Sequence, residues 1–167
     1  TFTELELEVP AVVQTAALLG VGLLYQGSAH RLMTEVLLGE IGRPAANELL
    51  ECRESYSLTA GLALGMLTLG RGSHAAGLAD LRLEDTLGAY MHGKESALPW
   101  PAPAARESER NAMPTRCCRI REGPLVNVDV TAAGATLALG LMFLRTNNAS
   151  VAAQLRIPLS LHALACV

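Results

Sequence analysis

The residues that could act as a nucleophile and a general base are few in this sequence and far apart along it. A thiol at Cys117 or Cys118 paired with His92 would give the nucleophile and base of a cysteine hydrolase, because an adjacent imidazole activates a thiol. Nothing in the sequence orients such a pair or supplies donors for an oxyanion, so structural roles are the favoured interpretation. The sequence predicts no catalytic residue, and we expect that the chain is not an enzyme.

Patterns that bind metals or phosphates are also missing from the sequence. The four cysteines include no C-x-x-C pair, and the four histidines are too dispersed for a metal site. The glycine-rich run GRGSHAAG (70–77) lacks the spacing of a dinucleotide-binding loop and follows a helix-like run instead of a strand. We therefore expect no metal and no cofactor, and we expect His30 and His74 to cap or line turns.

The composition indicates a protein that buries part of its surface against other protein. Hydrophobic residues make up 50% of the 167 residues and charged residues only 17%, below the roughly 25% of a typical soluble domain. The net charge of −3 gives no basic footprint, so no nucleic-acid partner is expected. The cysteine pattern favours a reducing compartment. The lack of an initiator Met and the apolar final run LSLHALACV predict an excerpt of a longer polypeptide.

Three segments of the chain share one frame of small residues. AALLGVGLLYQG (16–27), TAGLALGMLTLG (59–70) and GATLALGLMFLR (134–145) align without gaps on the pattern A-x-x-[GA]-x-G. The candidate structural positions are the small residues of this frame, namely Ala17, Gly20, Gly22, Ala60, Ala63, Gly65, Ala135, Ala138 and Gly140.

Each copy of the frame predicts an apolar helix, a polar turn and a second helix. The repeat units extend over about 11–44, 55–92 and 131–158. In the first unit Ser28 is expected to cap the second helix. Stacked helix pairs of this kind bury their apolar helices against one another, which predicts an all-α solenoid.

The glycines of the frame predict close helix contacts. A glycine within a helix costs about 0.5–1 kcal/mol relative to alanine, so its repetition must be offset by tight packing. Gly22, Gly65 and Gly140 are each expected within a buried helix at such a contact. Replacing Gly65 by Leu is then expected to overpack the contact, at roughly 1–3 kcal/mol or more.

The other stretches have separate interpretations. The apolar run 57–70 is too short for a membrane span, which needs about 20 residues, so no membrane partner is expected. The proline-rich stretch at about 94–122 predicts a surface insertion, on which Trp100 either tucks onto the domain or anchors a partner. The alternation in PLVNVDVT predicts a short β segment near 124–131.

The longer blocks around the frame resemble a known family. VQTAALLGVGLLYQGSAHRLMTEVLLGEIGRP, RESYSLTAGLALGMLTLGRGS and VNVDVTAAGATLALGLMFLRTNN are similar to the proteasome/cyclosome repeats of the largest subunit (subunit 1) of the anaphase-promoting complex. The resemblance covers nearly the whole chain except 94–122, whose length and sequence depart from the family pattern. It implies paired helices that curl into a closed or nearly closed α-toroid.

The same resemblance implies a function. The domain would be a non-catalytic scaffold in a multi-subunit cullin-RING-type E3 ubiquitin ligase that controls cell-cycle progression. Its implied partners are the DOC-homology subunit and the N-terminal region of the coactivator, and its implied location is the nucleus and cytoplasm. The alternative is a docking subunit of the proteasome regulatory particle, because two large subunits of that particle share the same type of repeat.

Overall fold

A computed structural model describes residues 9–43, 52–93 and 127–156 of the chain. Six α-helices and two 3-10 turns lie in these ranges. The helices are α1 (Ala11–Leu24), α2 (Arg31–Ile41), α3 (Arg53–Leu67), α4 (Leu83–His92), α5 (Val128–Met142) and α6 (Ala149–Gln154), and the 3-10 turns are Gly72–His74 and Ala79–Leu81. No strand occurs within the described ranges, and the predicted all-α class is confirmed there. The predicted insertion at 94–122, with Trp100, lies outside the described residues.

The helices form two layers. In the first layer α3 lies between α1 and α5, and it packs most extensively against α5. Helices α3 and α5 are parallel, since residues near 61 of α3 meet residues near 134 of α5, and residues near 65 of α3 meet residues 138–141 of α5. In the second layer α2 packs on α3 and α4 packs on α5. Each second-layer helix therefore packs on the first-layer helix that follows it in the chain.

Buried aliphatic side chains hold the two layers together. Leu37, Leu38 and Ile41 of α2 are almost fully buried in the same cluster as Leu64 and Leu67 of α3. These three α2 positions lie on one face of the helix, as the spacing of an amphipathic helix requires. Burial of a leucine or isoleucine side chain contributes about 1.5–3 kcal/mol, so this face positions α2 on α3.

The predicted β segment near 124–131 is wrong for the part that the structure describes. Val128–Thr131 form the first turn of α5. The hydroxyl of Thr131 donates a 2.7 Å hydrogen bond to the carbonyl of Tyr90 at the end of α4. Val130 and Thr131 are both buried, so packing against α4 takes precedence over the local alternation. Residues 124–126 lie outside the described residues.

The start of α2 also differs from the prediction. His30, not Ser28, is the residue that caps it, because the His30 Nδ1 accepts a 3.5 Å hydrogen bond from the backbone N–H of Met33. The Ser28 hydroxyl instead donates a 2.7 Å hydrogen bond to the carbonyl of Tyr25 at the end of α1. The expected capping role of His30 is confirmed, while His74 ends the first 3-10 turn.

Candidate functional site

The most distinctive feature of the described chain is a seam of close backbone contacts along the first layer. Between α1 and α3, the seam is made by Gly22. A Cβ built on Gly22 would lie 2.6 Å from the Cα of Ala63 and 2.9 Å from the Cε of Met66. Such distances are too short for any side chain, so only glycine lets α1 approach α3 this closely.

The seam continues between α3 and α5. A Cβ built on Gly65 would lie 2.8 Å from the Cβ of Leu141 and 3.1 Å from the Cα of Ala138. One turn earlier in α3, Gly61 faces the backbone of Gly134, and a Cβ on Gly61 would overlap the Gly134 carbonyl. The two helices therefore meet backbone to backbone at this point.

The two halves of the seam have the same register. Gly22 of α1 meets Ala63 and Met66 of α3, and Gly65 of α3 meets Ala138 and Leu141 of α5. When the three repeat copies are aligned, the two glycines occupy one position, the two alanines a second, and the methionine and leucine a third. Each glycine contacts the second and third positions of the next helix. The step from α1 to α3 is therefore repeated from α3 to α5, which is the geometry of a solenoid.

The turns that follow the first-layer helices also repeat. The N–H of Gly27 donates a 2.9 Å hydrogen bond to the carbonyl of Met66, and the N–H of Gly70 donates a 3.0 Å bond to the carbonyl of Leu141. Both glycines have a φ of +65°, and the corresponding residue after α5, Arg145, has a φ of +63°. We call these bonds the turn rungs, because each joins one turn to the next first-layer helix.

The predicted frame residues differ in what surrounds them. The alanines of α3 and α5 are fully buried, and Gly22 and Gly65 are buried at the contacts described above. In contrast, Ala17 and Gly20 of α1 are exposed. The frame positions are Ala17, Gly20, Gly22, Ala60, Ala63, Gly65, Ala135, Ala138 and Gly140.

The expected close contact at Gly140 is not met within the described ranges. Gly140 is half-buried, and the nearest atom to a Cβ built there is the Cδ1 of Leu155 at 3.8 Å, an ordinary van der Waals distance. The physical reason is that Gly140 occupies on α5 the position that faces the next first-layer helix, and no described helix lies there.

Sequence reasoning missed Gly61 and Gly134 as seam positions. They lie outside the A-x-x-[GA]-x-G frame, so the alignment of the three copies gave them no weight. The available signal was Gly61-x-x-x-Gly65, since small residues four apart lie on one helix face and permit close approach.

Polar groups at the layer interface are used in structural hydrogen bonds. The hydroxyl of Ser57 donates a 2.8 Å bond to the carbonyl of Ile41, which joins α3 to the end of α2. The hydroxyl of Tyr90 donates a 3.3 Å bond to the carbonyl of Leu38, and burial raises the pKa of Tyr90 to about 12. Within the described ranges no buried side-chain nitrogen or oxygen lacks a hydrogen-bond partner.

Two arginines link the turns of neighbouring units. Arg71 donates from its Nε to the carbonyl of Gly27 at 3.0 Å, beside the first turn rung. Arg31 at the start of α2 donates from its Nη1 to an Asp80 carboxylate oxygen at 2.7 Å and to the carbonyl of Gly77 at 2.8 Å. The hydrogen bond from Arg31 holds the pKa of the Asp80 carboxyl below its usual range.

An apolar groove of about 310 Å³ lies between the first halves of α1 and α3. Its hydroxyl groups donate within their own helices, since Thr15 bonds to the carbonyl of Ala11 and Thr59 bonds to the carbonyl of Ser55, both at 2.8 Å. The groove therefore presents mainly methyl groups and aliphatic carbons, and the free thiol of Cys52 lies at its edge.

Neither the cysteine–histidine pair nor a metal site, the two kinds of chemical site considered from the sequence, is assembled in the part of the chain that the structure describes. No group of three or more His, Cys, Asp or Glu side chains is placed to hold a metal there. His92 is the last residue of α4, while Cys117 and Cys118 lie outside the described residues. None of the described helices combines the length and the apolar character needed to cross a bilayer.

Comparisons with known proteins cover the whole chain. The family model described as "APC1 fifth domain" matches residues 1–167. The chain is 48% identical over 164 residues to the Mus musculus and Homo sapiens proteins named "Anaphase-promoting complex subunit 1", which covers 97% of this chain and 8% of each of theirs. It is 33% identical over 160 residues to the Emericella nidulans "Negative regulator of mitosis", covering 92% of this chain and 6% of that protein. The chain thus spans less than a tenth of the length of these relatives.

Proposed function

The chain belongs to the anaphase-promoting complex subunit 1 family, and from this premise we propose that it is a non-catalytic scaffold segment of that complex. The complex is a multi-subunit cullin-RING-type E3 ubiquitin ligase. In it the segment organises other subunits and the coactivator, and so contributes to the control of cell-cycle progression and mitosis. The observation that carries the proposal is the family match over residues 1–167.

The seam supports a scaffold role because it fixes the spacing of the first-layer helices. A contact in which backbone meets backbone, as at Gly61 and Gly134, leaves no flexible side chain to absorb a shift. The turn rungs and the Arg71 hydrogen bond also join each turn to the neighbouring unit at one end of the layer. A layer built in this way holds partners at a defined separation.

The use of polar groups supports a non-catalytic role. Ser57, Tyr90 and Thr131 each donate a hydrogen bond to a backbone carbonyl of a neighbouring helix. These hydroxyls are committed to joining helices and are not directed into a cleft where a substrate could bind. The catalytic step is then carried out by other subunits of the ligase.

The partners that we propose are the DOC-homology subunit and the N-terminal region of the coactivator. Members of this family are subunits of a multi-subunit complex by name, so their segments have neighbouring subunits to contact. The family match over residues 1–167 disfavours the alternative role, a docking subunit of the proteasome regulatory particle.

The proposal can be tested in the full-length subunit with a matched pair of glycine variants. Gly65→Leu places a side chain in the seam, whereas Gly39→Leu places one on α2 at a site with no other atom within 4 Å of the new Cβ. Each tagged variant is expressed in cells, its abundance is measured, and the complex is recovered and quantified by mass spectrometry.

We expect Gly65→Leu to reduce recovery of the DOC-homology subunit and the coactivator several-fold per molecule of tagged subunit, with Gly39→Leu at the wild-type level. Normal recovery of both partners from the Gly65→Leu complex, at normal ubiquitin-ligase activity, would show that the segment does not organise them.

The non-catalytic role predicts that Cys117→Ser together with Cys118→Ser leaves the ubiquitin-ligase activity of the complex unchanged, and a loss of activity at normal subunit composition would contradict it. We also propose that the subunit resides in both the nucleus and the cytoplasm. Fluorescence imaging of the tagged full-length chain tests this location.

A further inference from the structure

The glycine-rich run GRGSHAAG (70–77) contains a serine with an arginine two residues before it. Ser73 is exposed in the 3-10 turn Gly72–His74, and Arg71 is also exposed. Arg71 donates to the Gly27 carbonyl through its Nε and Nη2, which leaves its Nη1 for another acceptor. Basophilic protein kinases select serines that have an arginine close before them, because carboxylates of the kinase pair with it. The run therefore has the sequence pattern of a substrate for such a kinase.

A pocket of about 310 Å³ lies beside Ser73. Its walls are formed by the 3-10 turns Gly72–His74 and Ala79–Leu81, by the segment between these turns, by the first turn of α4 and by Met142 of α5. Arg82, the residue that precedes α4, also lines the pocket. A serine hydroxyl and a guanidinium therefore share one cavity.

Arg82 has donors to spare for an anion in this pocket. It pairs with Asp85 through its Nε at 2.9 Å and its Nη2 at 2.8 Å. A guanidinium carries further N–H donors, and the Nη1 of Arg82 takes no part in this pair. Glu84 and Asp85 line the pocket as well, so an anion there depends on Arg82 to offset two carboxylates.

We propose that Ser73 is a phosphorylation site of a basophilic kinase and that Arg82 holds the phosphate in this pocket. In the reaction the Ser73 Oγ attacks the γ-phosphorus of ATP, the bond from that phosphorus to the bridging oxygen breaks, and ADP leaves. The hydroxyl proton passes to a base of the kinase. The product carries a charge of about −1.5 to −2 at neutral pH and acceptor oxygens that bond strongly to arginine.

The phosphate would fix the segment 72–82, which leads from α3 to α4. The far part of this segment is already held by the first repeat unit, since Arg31 donates to Asp80. A bond from phosphorylated Ser73 to Arg82 joins the near part of the segment to the start of α4. Phosphorylation is therefore expected to slow local opening of the segment, without a change in the helices.

The site is tested by labelling the full-length subunit in its complex with ATP and the catalytic subunit of cyclic-AMP-dependent protein kinase. Phosphopeptides are quantified by mass spectrometry. Ser28 is the internal control, because it is exposed in the corresponding turn after α1 but has Gln26 two residues before it. We expect labelling of Ser73 to exceed that of Ser28 many-fold, and Ser73→Ala to abolish it.

The role of the pocket is tested by amide hydrogen exchange of the phosphorylated and unphosphorylated complexes. We expect exchange in 72–82 to slow several-fold on phosphorylation. Arg82→Gln should be labelled normally at Ser73 and should lose this slowing. Asp85→Asn is the matched control, since it also breaks the Arg82–Asp85 pair but keeps the guanidinium, and it should retain the slowing.

Two kinds of result would overturn these expectations. No phosphate on Ser73, or equal labelling of Ser73 and Ser28, would show that the run is not a kinase site. Unchanged exchange in the phosphorylated wild type, or a slowing that persists in Arg82→Gln, would show that Arg82 does not hold the phosphate.

Discussion

Gly61 of α3 and Gly134 of α5 contact each other backbone to backbone, and each would clash with the neighbouring helix if it carried a methyl group. A Cβ on Gly61 would overlap the Gly134 carbonyl, and a Cβ on Gly134 would overlap the carbonyl of Ser57. In the α1–α3 pair the corresponding residues are Leu18 and Thr59. Both of these residues carry side chains, and the apolar groove lies between the first halves of the same two helices.

We expect Gly61→Ala to destabilise the chain. The added methyl group meets backbone atoms, which cannot rotate away, so the helices must separate at a cost of roughly 1–3 kcal/mol. Equilibrium unfolding in urea, followed by circular dichroism, measures the change. A free energy of unfolding equal to that of the wild type would contradict the close contact.

Gly39→Ala is the matched control for this prediction. Gly39 is also a helical glycine, but a Cβ there has no neighbouring atom within 4 Å. Alanine is favoured over glycine in a helix by about 0.5–1 kcal/mol, so this variant should be more stable than the wild type. Both substitutions replace glycine by alanine, and we expect them to change the free energy of unfolding in opposite directions.

Replacing Arg145 by glycine should stabilise the chain. Arg145 has a φ of +63°, a conformation that costs a non-glycine residue about 1–2 kcal/mol. Relief of this strain is partly offset by the greater freedom of glycine in the unfolded chain. We expect a net gain of a few tenths to about 1 kcal/mol in the free energy of unfolding, measured by thermal unfolding.

Asn147→Gly provides the comparison for Arg145→Gly. Asn147 also has a positive φ, of +54°, but asparagine tolerates the left-handed region better than arginine because its short side chain can hydrogen-bond locally. The gain should therefore be smaller at Asn147. An equal or larger gain there would mean that backbone strain does not explain the effect at Arg145.

The buried phenol of Tyr90 predicts a loss of stability at alkaline pH. Its pKa is raised to about 12 by burial, while an unfolded tyrosine has a pKa of about 10. Below pH 10 the phenol is neutral in both the folded and the unfolded chain, and its contribution to the free energy of unfolding is fully present. As the pH rises from 10 to 12 only the unfolded chain ionises, so the free energy of unfolding falls by roughly 2–3 kcal/mol.

Tyr90→Phe separates this effect from general alkaline unfolding. The variant should lose about 1 kcal/mol at neutral pH, because the hydrogen bond to the Leu38 carbonyl is removed. Between pH 10 and 12 its stability should fall less steeply than that of the wild type. Parallel stability curves for the two proteins in this range would contradict the assignment to Tyr90.

The ion pair of Arg31 and Asp80 predicts a local change at acid pH. The Asp80 pKa is depressed, so its contribution is present above the usual aspartate pKa of about 4 and is lost as the pH falls through the lower folded value. Both side chains are exposed, so we expect faster amide exchange near the 3-10 turn Ala79–Leu81 without global unfolding. Asp80→Asn should show the faster exchange already at neutral pH.

The sequence predicted best those residues that disfavour their own local structure, because such residues need a tertiary contact to offset them. Gly22 and Gly65 interrupt helical stretches where alanine would be better, so their repetition indicated a packing reason, and each lies at a close contact. His30 was predicted to cap or line its turn, and it caps α2. The prediction for Ser28 is wrong, because the imidazole of His30 in the same turn accepts the hydrogen bond from the Met33 N–H.

The start of α5 shows why the remaining features could not be predicted from the sequence. The alternation of apolar and polar residues around Val128 and Val130 fits a strand as well as the first turn of a helix, since both patterns are short. The Thr131 hydrogen bond to Tyr90 selects the helix. That partner lies 41 residues earlier in the chain, and no local pattern contains it.

The sequence by itself determined that the chain forms apolar, glycine-bearing helices in repeated units, because helix period and small-residue spacing are local properties. Only the tertiary structure decided which face of each helix meets which neighbour. It placed Gly61 on Gly134 and packed α2 on the first-layer helix that follows it, and it put no helix of the described ranges over Gly140. Such choices depend on register between distant segments, where a close contact forms only if both backbones lack an obstructing side chain.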